Sequence, residues 1–182
     1  MIVILDPGHG MSNRRSGRYD PGAVAAGVEE ATVAMDWTNE LRDILRSRKV
    51  AVVRTRIDAK DPAPVSQRAG IARRYKGDVM VSFHCNAAGP QAQGTETFYR
   101  GEANKAKAVR LNAAVFVTLN TRNRGVKTED QSQHGRLAIM AFQPCFLIEL
   151  GFITNAYDRG QMLNPALRKR ACEALADVLL SP

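Results

Sequence analysis

The sequence predicts an α/β fold: a single domain over residues 1–182, with a central, mixed and mostly parallel sheet of about six strands flanked by helices on both faces. Three observations predict it. Short apolar runs of strand length alternate with longer segments that show helical periodicity. A length of 182 residues fits one domain. No internal repeat, and no linker rich in proline, glycine or serine, divides the chain.

The first half of the chain is predicted to contain three strands and two helices. Residues 2–6 form a short apolar run that ends at Asp6 and Pro7, which predicts a fully buried strand. Residues 30–48 predict a helix, because apolar side chains recur at helical spacing while acidic side chains occupy the other side. The remaining elements predicted in this half are a strand at 51–53, a helix near 65–75 and a strand at 79–83.

The second half continues the alternation of strands and helices. Residues 95–99 alternate in polarity, as a strand with one buried face does. The stretch 120–136 is polar and is predicted to be a loop. The remaining elements predicted here are a helix at about 103–119, short strands near 137–141 and 146–150, and a last helix over roughly 165–180.

Composition and the N-terminus exclude two classes of protein. The chain is 45% apolar with mixed charges, which excludes an intrinsically disordered protein. It contains no apolar run of the roughly 20 residues that a membrane span needs, which excludes a transmembrane protein. The apolar run at the N-terminus is too short for a signal peptide, and no basic residue precedes it. We therefore expect a mature fragment, or a protein made in the cytoplasm without its own signal peptide.

The chain is basic, with 26 Lys and Arg residues against 18 Asp and Glu residues and a net charge of +8. A basic protein of this size tends to contact polyanions, such as the anionic polymers of a cell envelope. Each basic cluster taken alone is more typical of a solvated helix face or a helix C-terminus. The clusters are Arg14/Arg15/Arg18, Arg46/Arg48/Lys49, Arg73/Arg74/Lys76, Arg122/Arg124/Lys127 and Arg168/Lys169/Arg170.

The cysteines Cys85, Cys145 and Cys172 are odd in number, lie far apart and form no C-x-x-C pair. We interpret them as small buried side chains and not as a disulfide framework or a thiolate metal site. Cys85 does not suit a metal site that uses the neighbouring His84, because adjacent strand residues face opposite sides of a sheet.

Ionisable side chains lie at the ends of three predicted strands, where functional groups of open α/β sheets gather. Two of the three histidines are among them, since His9 follows the first strand and His84 follows the third. Glu149 lies inside an otherwise apolar run. A carboxylate there is costly unless it is paired, bound to a metal or protonated. Glu149 is therefore a candidate functional residue, whereas His134, in the polar loop, is predicted to be exposed.

The first predicted helix offers a carboxylate that faces the sheet. Glu30 begins its apolar stripe, whereas Glu29 lies on the polar side. An acidic residue can simply stabilise a helix N-terminus, but Glu29 can do this without facing inward. His9, Glu30 and His84 together form a His₂Glu set, the ligand pattern of a catalytic zinc site with an open fourth position. These residues alone support a second interpretation equally well, in which the two histidines lie at the starts of loops and form only ordinary hydrogen bonds.

Five sequence blocks follow one another along the chain. They are the N-terminal block 4–10 (ILDPGHG) with 20–23 (DPGA) and Gly27, then 81–87 (VSFHCNA), 94–99 (GTETFY), 124–127 (RGVK) and 146–155 (FLIELGFITN). Their residues and order resemble those of zinc-dependent N-acetylmuramoyl-L-alanine amidases of the Amidase_3 type, a class of cell-wall hydrolases. The resemblance covers essentially the whole chain, since the last predicted helix also fits.

The resemblance implies a sheet of about six strands flanked by helices, in agreement with the fold predicted above. It implies that the protein hydrolyses the amide bond between N-acetylmuramic acid and L-alanine in peptidoglycan. It also implies that His9, Glu30 and His84 bind Zn²⁺ and that Glu149 is the catalytic acid.

Further expectations concern the substrate and the biological setting. Asn86 and Arg124, which lie in two of the blocks, are candidate substrate-binding residues. The clusters at 14–18 and 122–127 are expected to border the cleft and to aid binding to the wall. A bare, basic catalytic domain is typical of a phage or prophage endolysin that reaches the cell wall or periplasm through a holin pore. The alternative is the catalytic domain of a bacterial autolysin.

Two other functions compete with this interpretation. One is a different zinc peptidase that acts on stem peptides, such as a carboxypeptidase, since its site would also combine zinc with a glutamate. The other is a non-catalytic basic module that binds cell wall or nucleic acid. Nucleic acid is disfavoured as a partner, because the few aromatic residues lie mostly within apolar segments and form no stacking platform.

Overall fold

A mixed sheet forms the centre of the computed structural model, which describes residues 1–11 and 18–181. Within the described residues, the six strands of this central sheet are β1 (Ile2–Pro7), β2 (Ala51–Arg54), β3 (Val79–Asn86), β4 (Thr95–Tyr99), β5 (Asn123–Thr128) and β6 (Cys145–Phe152). Their spatial order is β2-β1-β3-β6-β4-β5. All neighbours are parallel except β4 and β6, which are antiparallel. The predicted mixed, mostly parallel sheet is confirmed.

Helices connect most of the strands. In the described part of the chain the five α-helices are α1 (Glu30–Ser47), α2 (Val65–Arg74), α3 (Lys105–Leu119), α4 (Ala156–Leu163) and α5 (Pro165–Leu180). The short helix α4 was not predicted. Asn155 begins it by accepting hydrogen bonds from two main-chain N–H groups of its first turn, and Asn164 begins α5 in the same way. An asparagine cap of this kind favours a helix start, but eight residues carry little periodicity.

Alternate side chains of the strands pack into two cores on opposite faces of the sheet. On one face, α1, α3 and α5 cover Val81 and Phe83, and the fully buried indole of Trp37 packs among them. On the other face, α2 and a 3₁₀ segment cover Met80 and Leu147. The predicted cover of helices on both faces is therefore confirmed.

Two predictions in the second half of the chain were wrong. The stretch 120–136, predicted as a loop, contains β5, and the strand predicted at 137–141 is instead a 3₁₀ segment at Ala138–Ala141. β5 lies at the edge of the sheet and is only half-buried, so its side chains are polar and lack a strand-like pattern. The apolar residues Ile139 and Met140 are buried in the second core without joining the sheet.

Two other sequence predictions concern the state of the cysteines and the presence of membrane-spanning helices. Cys85, Cys145 and Cys172 are buried free thiols, as the sequence predicts. No helix among the described residues combines the length and the apolar character that crossing a membrane requires. The basic residues Arg14 and Arg15 lie outside the described residues.

Candidate active site

The carboxyl ends of β1, β3 and β6 lie side by side, because these strands are parallel neighbours. This edge of the sheet brings His9, His84 and Glu149 together. Glu149 is paired in register with His84, and paired side chains of neighbouring strands point to the same face. A cleft of about 920 Å³ opens above them, and all four of the main predicted site residues line it.

The carboxylate of Glu30 lies between the two histidines. Its Oε1 atom is 2.9 Å from His84 Nδ1 and 3.0 Å from His9 Nε2. One candidate ligand atom from each residue lies within 4.8 Å of the other two. The structure therefore brings together the three residues that the sequence predicts as a His₂Glu set.

Main-chain hydrogen bonds fix the carboxylate of Glu30. The N–H of Cys85 donates to its Oε1 atom at 3.0 Å, and the N–H of Ala23 donates to its Oε2 atom at 2.9 Å. Glu29 points elsewhere, since its Oε2 atom accepts a hydrogen bond from the Tyr19 hydroxyl at 2.6 Å. Glu30 is buried and Glu29 is not, so the predicted inward orientation of Glu30 is confirmed.

The imidazole of His9 is oriented by a second carboxylate. Its Nδ1 atom lies 3.0 Å from Asp20 Oδ2, which leaves Nε2 to face Glu30. Burial alone would lower the pKa of His9, but the hydrogen bonds and charges of Glu30 and Asp20 raise it overall. Burial likewise opposes ionisation of Glu30, yet hydrogen bonds from His84 and His9 hold its pKa far below the usual range.

The residues around the His₂Glu set fit a zinc ion. Two imidazole nitrogens and one carboxylate oxygen are a donor set that zinc prefers, and a carboxylate behind a ligating histidine is a common support. Two glycines keep the set compact. A Cβ at Gly22 would lie 2.6 Å from Glu30 Oε2, and a Cβ at Gly8 would lie 2.5 Å from His84 Cε1. Side chains at these positions would displace the donor atoms.

Glu149 is a second, different carboxyl group in the cleft. Its Oε2 atom is buried and makes no hydrogen bond with any residue that the structure describes. Burial raises the pKa of Glu149 well above its usual value, and the negative charges of Glu30 and Glu96 raise it further. Two neighbouring carboxyl groups thus differ in proton affinity: Glu30 stays ionised and Glu149 retains a proton more readily.

Sequence reasoning missed Glu96, which organises one wall of the cleft. Its carboxylate is buried and accepts hydrogen bonds from Asn86 Nδ2 at 3.0 Å, Arg124 Nε at 2.7 Å and Lys127 Nζ at 2.6 Å. The two predicted substrate-binding residues, Asn86 and Arg124, therefore both line the cleft and share this partner. A signal was present, since Glu96 lies in the block 94–99 on an otherwise well-buried strand.

Two buried arginines, also missed, hold the main chain around His9. Arg56 and Arg68 are each 1% exposed. Arg68 forms an ion pair of 3.0 Å with Asp6 and donates to the carbonyl of His9 at 2.6 Å. Arg56 donates to the carbonyls of Gly8 and Ala31, both at 2.9 Å. Because Ala31 follows Glu30, Arg56 ties the His9 loop to the start of α1.

Comparison with known proteins identifies the family. The sequence model of Amidase_3, described as N-acetylmuramoyl-L-alanine amidase, matches residues 3–181. The chain belongs to this family. The enzyme class predicted from the sequence is confirmed at this level, and the site described above is the cleft of an amidase-family domain.

Curated relatives of this amidase-family chain include bacterial and phage proteins. It is 29% identical to the uncharacterized protein YqiI of Bacillus subtilis, covering 96% of this chain and 81% of that protein. It is 26% identical to the N-acetylmuramoyl-L-alanine amidase LytC of Bacillus subtilis, covering 98% of this chain and 35% of that protein. It is 27% identical to the endolysin of Bacillus phage SPP1, covering 98% of this chain and 66% of that protein. The chain thus spans about a third of LytC and two thirds of the endolysin.

Solved structures of amidases share the fold. The catalytic domain of CwlV from Bacillus (Paenibacillus) polymyxa var. colistinus superposes with a TM-score of 0.83 at 27% identity, covering 98% of this chain and 95% of that one. The putative N-acetylmuramoyl-L-alanine amidase from Neisseria meningitidis gives a TM-score of 0.78 at 30% identity, covering 98% of this chain and 93% of that one. The six-stranded sheet with its flanking helices is therefore an amidase fold.

Proposed function

We propose that residues 1–182 form a zinc-dependent catalytic domain that cleaves the amide bond between N-acetylmuramic acid and L-alanine in peptidoglycan. The convergence of His9, Glu30 and His84 beside Glu149 in one cleft carries the proposal. Membership of the amidase family supports the choice of substrate.

Each residue of the site has a distinct role in this proposal. His9, Glu30 and His84 would hold the zinc ion, and Asp20 keeps His9 in the tautomer that presents Nε2. When bound, zinc supplies Lewis acidity that polarises the amide carbonyl and acidifies water. Glu30 keeps its negative charge in the buried site, because the imidazoles and two main-chain N–H groups stabilise it.

Glu149 is proposed to move the proton. Its carboxylate accepts a proton from the attacking water and returns it to the nitrogen of the departing L-alanine. Burial raises the pKa of Glu149, so this carboxyl retains the accepted proton more readily than an exposed carboxyl does, until the proton passes to the departing amine. Glu149 lines the cleft, and its Oε2 atom has no hydrogen-bond partner in the described part of the chain, which supports this role.

The product distinguishes this proposal from its alternatives. An amidase leaves a new amino group on L-alanine, with the rest of the stem peptide intact. Another zinc peptidase creates the new amino group at a different position in the stem peptide. A non-catalytic module that binds cell wall or nucleic acid creates no new amino group.

We further propose that the protein acts on the cell wall as an endolysin. The similarity to the SPP1 endolysin over 98% of the chain supports this role. The similarity to LytC over the same share of the chain supports the alternative, a domain of a bacterial wall amidase.

Basic residues outside the cleft are expected to increase wall affinity. Arg18 and Arg122 are exposed and do not line the cleft, whereas Arg124 and Lys127 do. Opposite charges attract, but salt screens them over a Debye length of about 8 Å at physiological ionic strength. Sedimentation of the protein with sacculi should therefore weaken steeply between low and moderate salt. Hydrolysis of a small soluble muramyl peptide should change little.

Charge-neutral variants test which basic residues contribute. Glutamine at Arg14, Arg15, Arg18 and Arg122 should reduce sedimentation and leave zinc content unchanged. Glutamine at Lys169 and Arg170, an exposed pair on α5 that does not line the cleft, is the control. If sedimentation changes neither with salt nor with the first set of substitutions, the positive charge affects solubility only and does not contribute to wall binding.

A further inference from the structure

The guanidinium group of Arg124 is held in one orientation at the wall of the cleft. Its Nε atom donates to Glu96 Oε2 at 2.7 Å, and its Cζ atom lies 4.9 Å above the ring centroid of Phe152. Glu96 is 4% exposed and Phe152 is buried, so both supports are fixed by the sheet. A cation–π contact and a charge-assisted hydrogen bond together restrain the guanidinium.

The two terminal nitrogens of Arg124 remain available. Neither donates a hydrogen bond to a residue within the described ranges, and the side chain is 31% exposed in the cleft. A guanidinium has donors in a fixed plane that match the two oxygens of a carboxylate. With Nε already engaged, the N–H groups of the terminal nitrogens form a pre-organised fork.

The charges around this fork favour an anion. Lys127 Nζ also contacts Glu96 Oε2, at 2.6 Å, so two cations share one carboxylate and these three side chains together carry a net positive charge. The fork lies close to the site of proton transfer, because Glu96 is paired in register with Glu149. A ligand anion bound here would belong to the substrate on one side of the scissile amide.

The chemistry of the proposed substrate indicates on which side of the scissile amide this anion lies. In the proposed substrate, the lactyl carboxyl of the muramic acid is itself the acyl group of the scissile amide, so it is not free. The stem peptide, in contrast, carries an acidic residue after L-alanine, with a carboxylate that is either free or amidated. A free carboxylate on the peptide is therefore the group that the fork can bind.

We propose that Arg124 binds a free carboxylate of the stem peptide and makes the enzyme selective for the acid over its amide. This inference rests on the proposed function and adds a specificity-determining residue to it. Glu96 orients the guanidinium of Arg124, Asn86 and Lys127 hold Glu96 in place, and Arg124 makes the contact with substrate.

Matched substrates test the selectivity. Two N-acetylmuramoyl tripeptides are used that differ only in whether the acidic residue after L-alanine has a free carboxylate or a carboxamide. We expect wild-type kcat/KM to favour the acid by about tenfold or more, the range for a charge-assisted hydrogen-bonded pair. Arg124→Gln should lower kcat/KM for the acid far more than for the amide, so that the preference for the acid is lost. Arg124→Lys, which keeps the charge without the planar fork, should also lose most of the preference.

Arg136→Gln is the matched control, because Arg136 is exposed, lines the same cleft and is not bound to Glu96. It removes the same charge and should keep the preference for the acid. Equal kcat/KM of the wild type for both substrates, or an equal loss of preference in Arg136→Gln, overturns the proposal.

A binding measurement separates this inference from the proposed function. The free tripeptides, which are the expected products, are titrated into the wild type and Arg124→Gln, each as acid and as amide. Tighter binding of the acid to the wild type alone supports the fork. Equal affinities overturn it even if the muramyl substrates are cleaved. Failure to cleave either muramyl substrate contradicts the proposed function, and the titration still decides the role of Arg124.

Discussion

His84→Ala is expected to lose bound zinc and amidase activity together. His84 supplies one of three candidate ligand atoms that lie within 4.8 Å of one another, so its removal leaves an incomplete site. Loss of a residue that merely supports a ligand already costs about 10–100-fold in metal affinity, and loss of a ligand should cost more. Zinc content per chain after dialysis and the release of soluble fragments from sacculi are measured on the same sample.

Glu29 and Glu30 provide a matched control for the ligand set. They are adjacent, but Glu29 contacts Tyr19 whereas Glu30 contacts both histidines. Glu30→Gln should weaken zinc binding, and Glu29→Gln should leave it intact. The opposite result, zinc lost in Glu29→Gln and kept in Glu30→Gln, would show that the ligand set is wrong.

Glu149→Gln is expected to keep its fold and its zinc but to lose about 10²–10⁴-fold in kcat, the range for a positioned general base or acid. The amide has nearly the same shape as the carboxyl. The Oε2 atom also has no hydrogen-bond partner among the described residues, so few contacts change. Turnover of a soluble muramyl peptide is compared with zinc content and circular dichroism.

Glu102→Gln is the control for this loss of turnover. Glu102 is exposed, forms a surface ion pair with Lys105 and does not line the cleft. It should leave turnover unchanged, because a surface ion pair contributes little. Near-normal turnover in folded, zinc-loaded Glu149→Gln would show that Glu149 has a structural and not a catalytic role.

Much of the site follows from local sequence patterns. The apolar runs of β1, β3 and β6 predict buried strands, and parallel strands place their carboxyl ends at one edge. His9, His84 and Glu149 were recognisable because each is polar or ionisable at the end of such a run. Glu30 was recognisable because it lies on the apolar stripe of α1. These signals are local, so one sequence suffices to detect them.

The missed features depend on contacts between distant segments. Arg56 and Arg68 are buried because main-chain carbonyls and Asp6 satisfy their donors, and no local pattern predicts this. Glu96 is stabilised by Arg124, 28 residues away. The edge strand β5 has the polarity of a loop because only one of its sides joins the sheet. In each case tertiary pairing outweighs local composition.

The position of the bond that is cleaved in peptidoglycan distinguishes an N-acetylmuramoyl-L-alanine amidase from other hydrolases of the wall. Purified, zinc-loaded protein is incubated with sacculi, and the soluble products are analysed by mass spectrometry, with Glu149→Gln as the matched control. We predict stem peptides that begin with a free L-alanine amino group, together with glycan chains whose lactyl carboxyls are free. Stem peptides that stay attached to muramic acid but are shortened elsewhere would contradict the account, as would the absence of any product that the control does not also give.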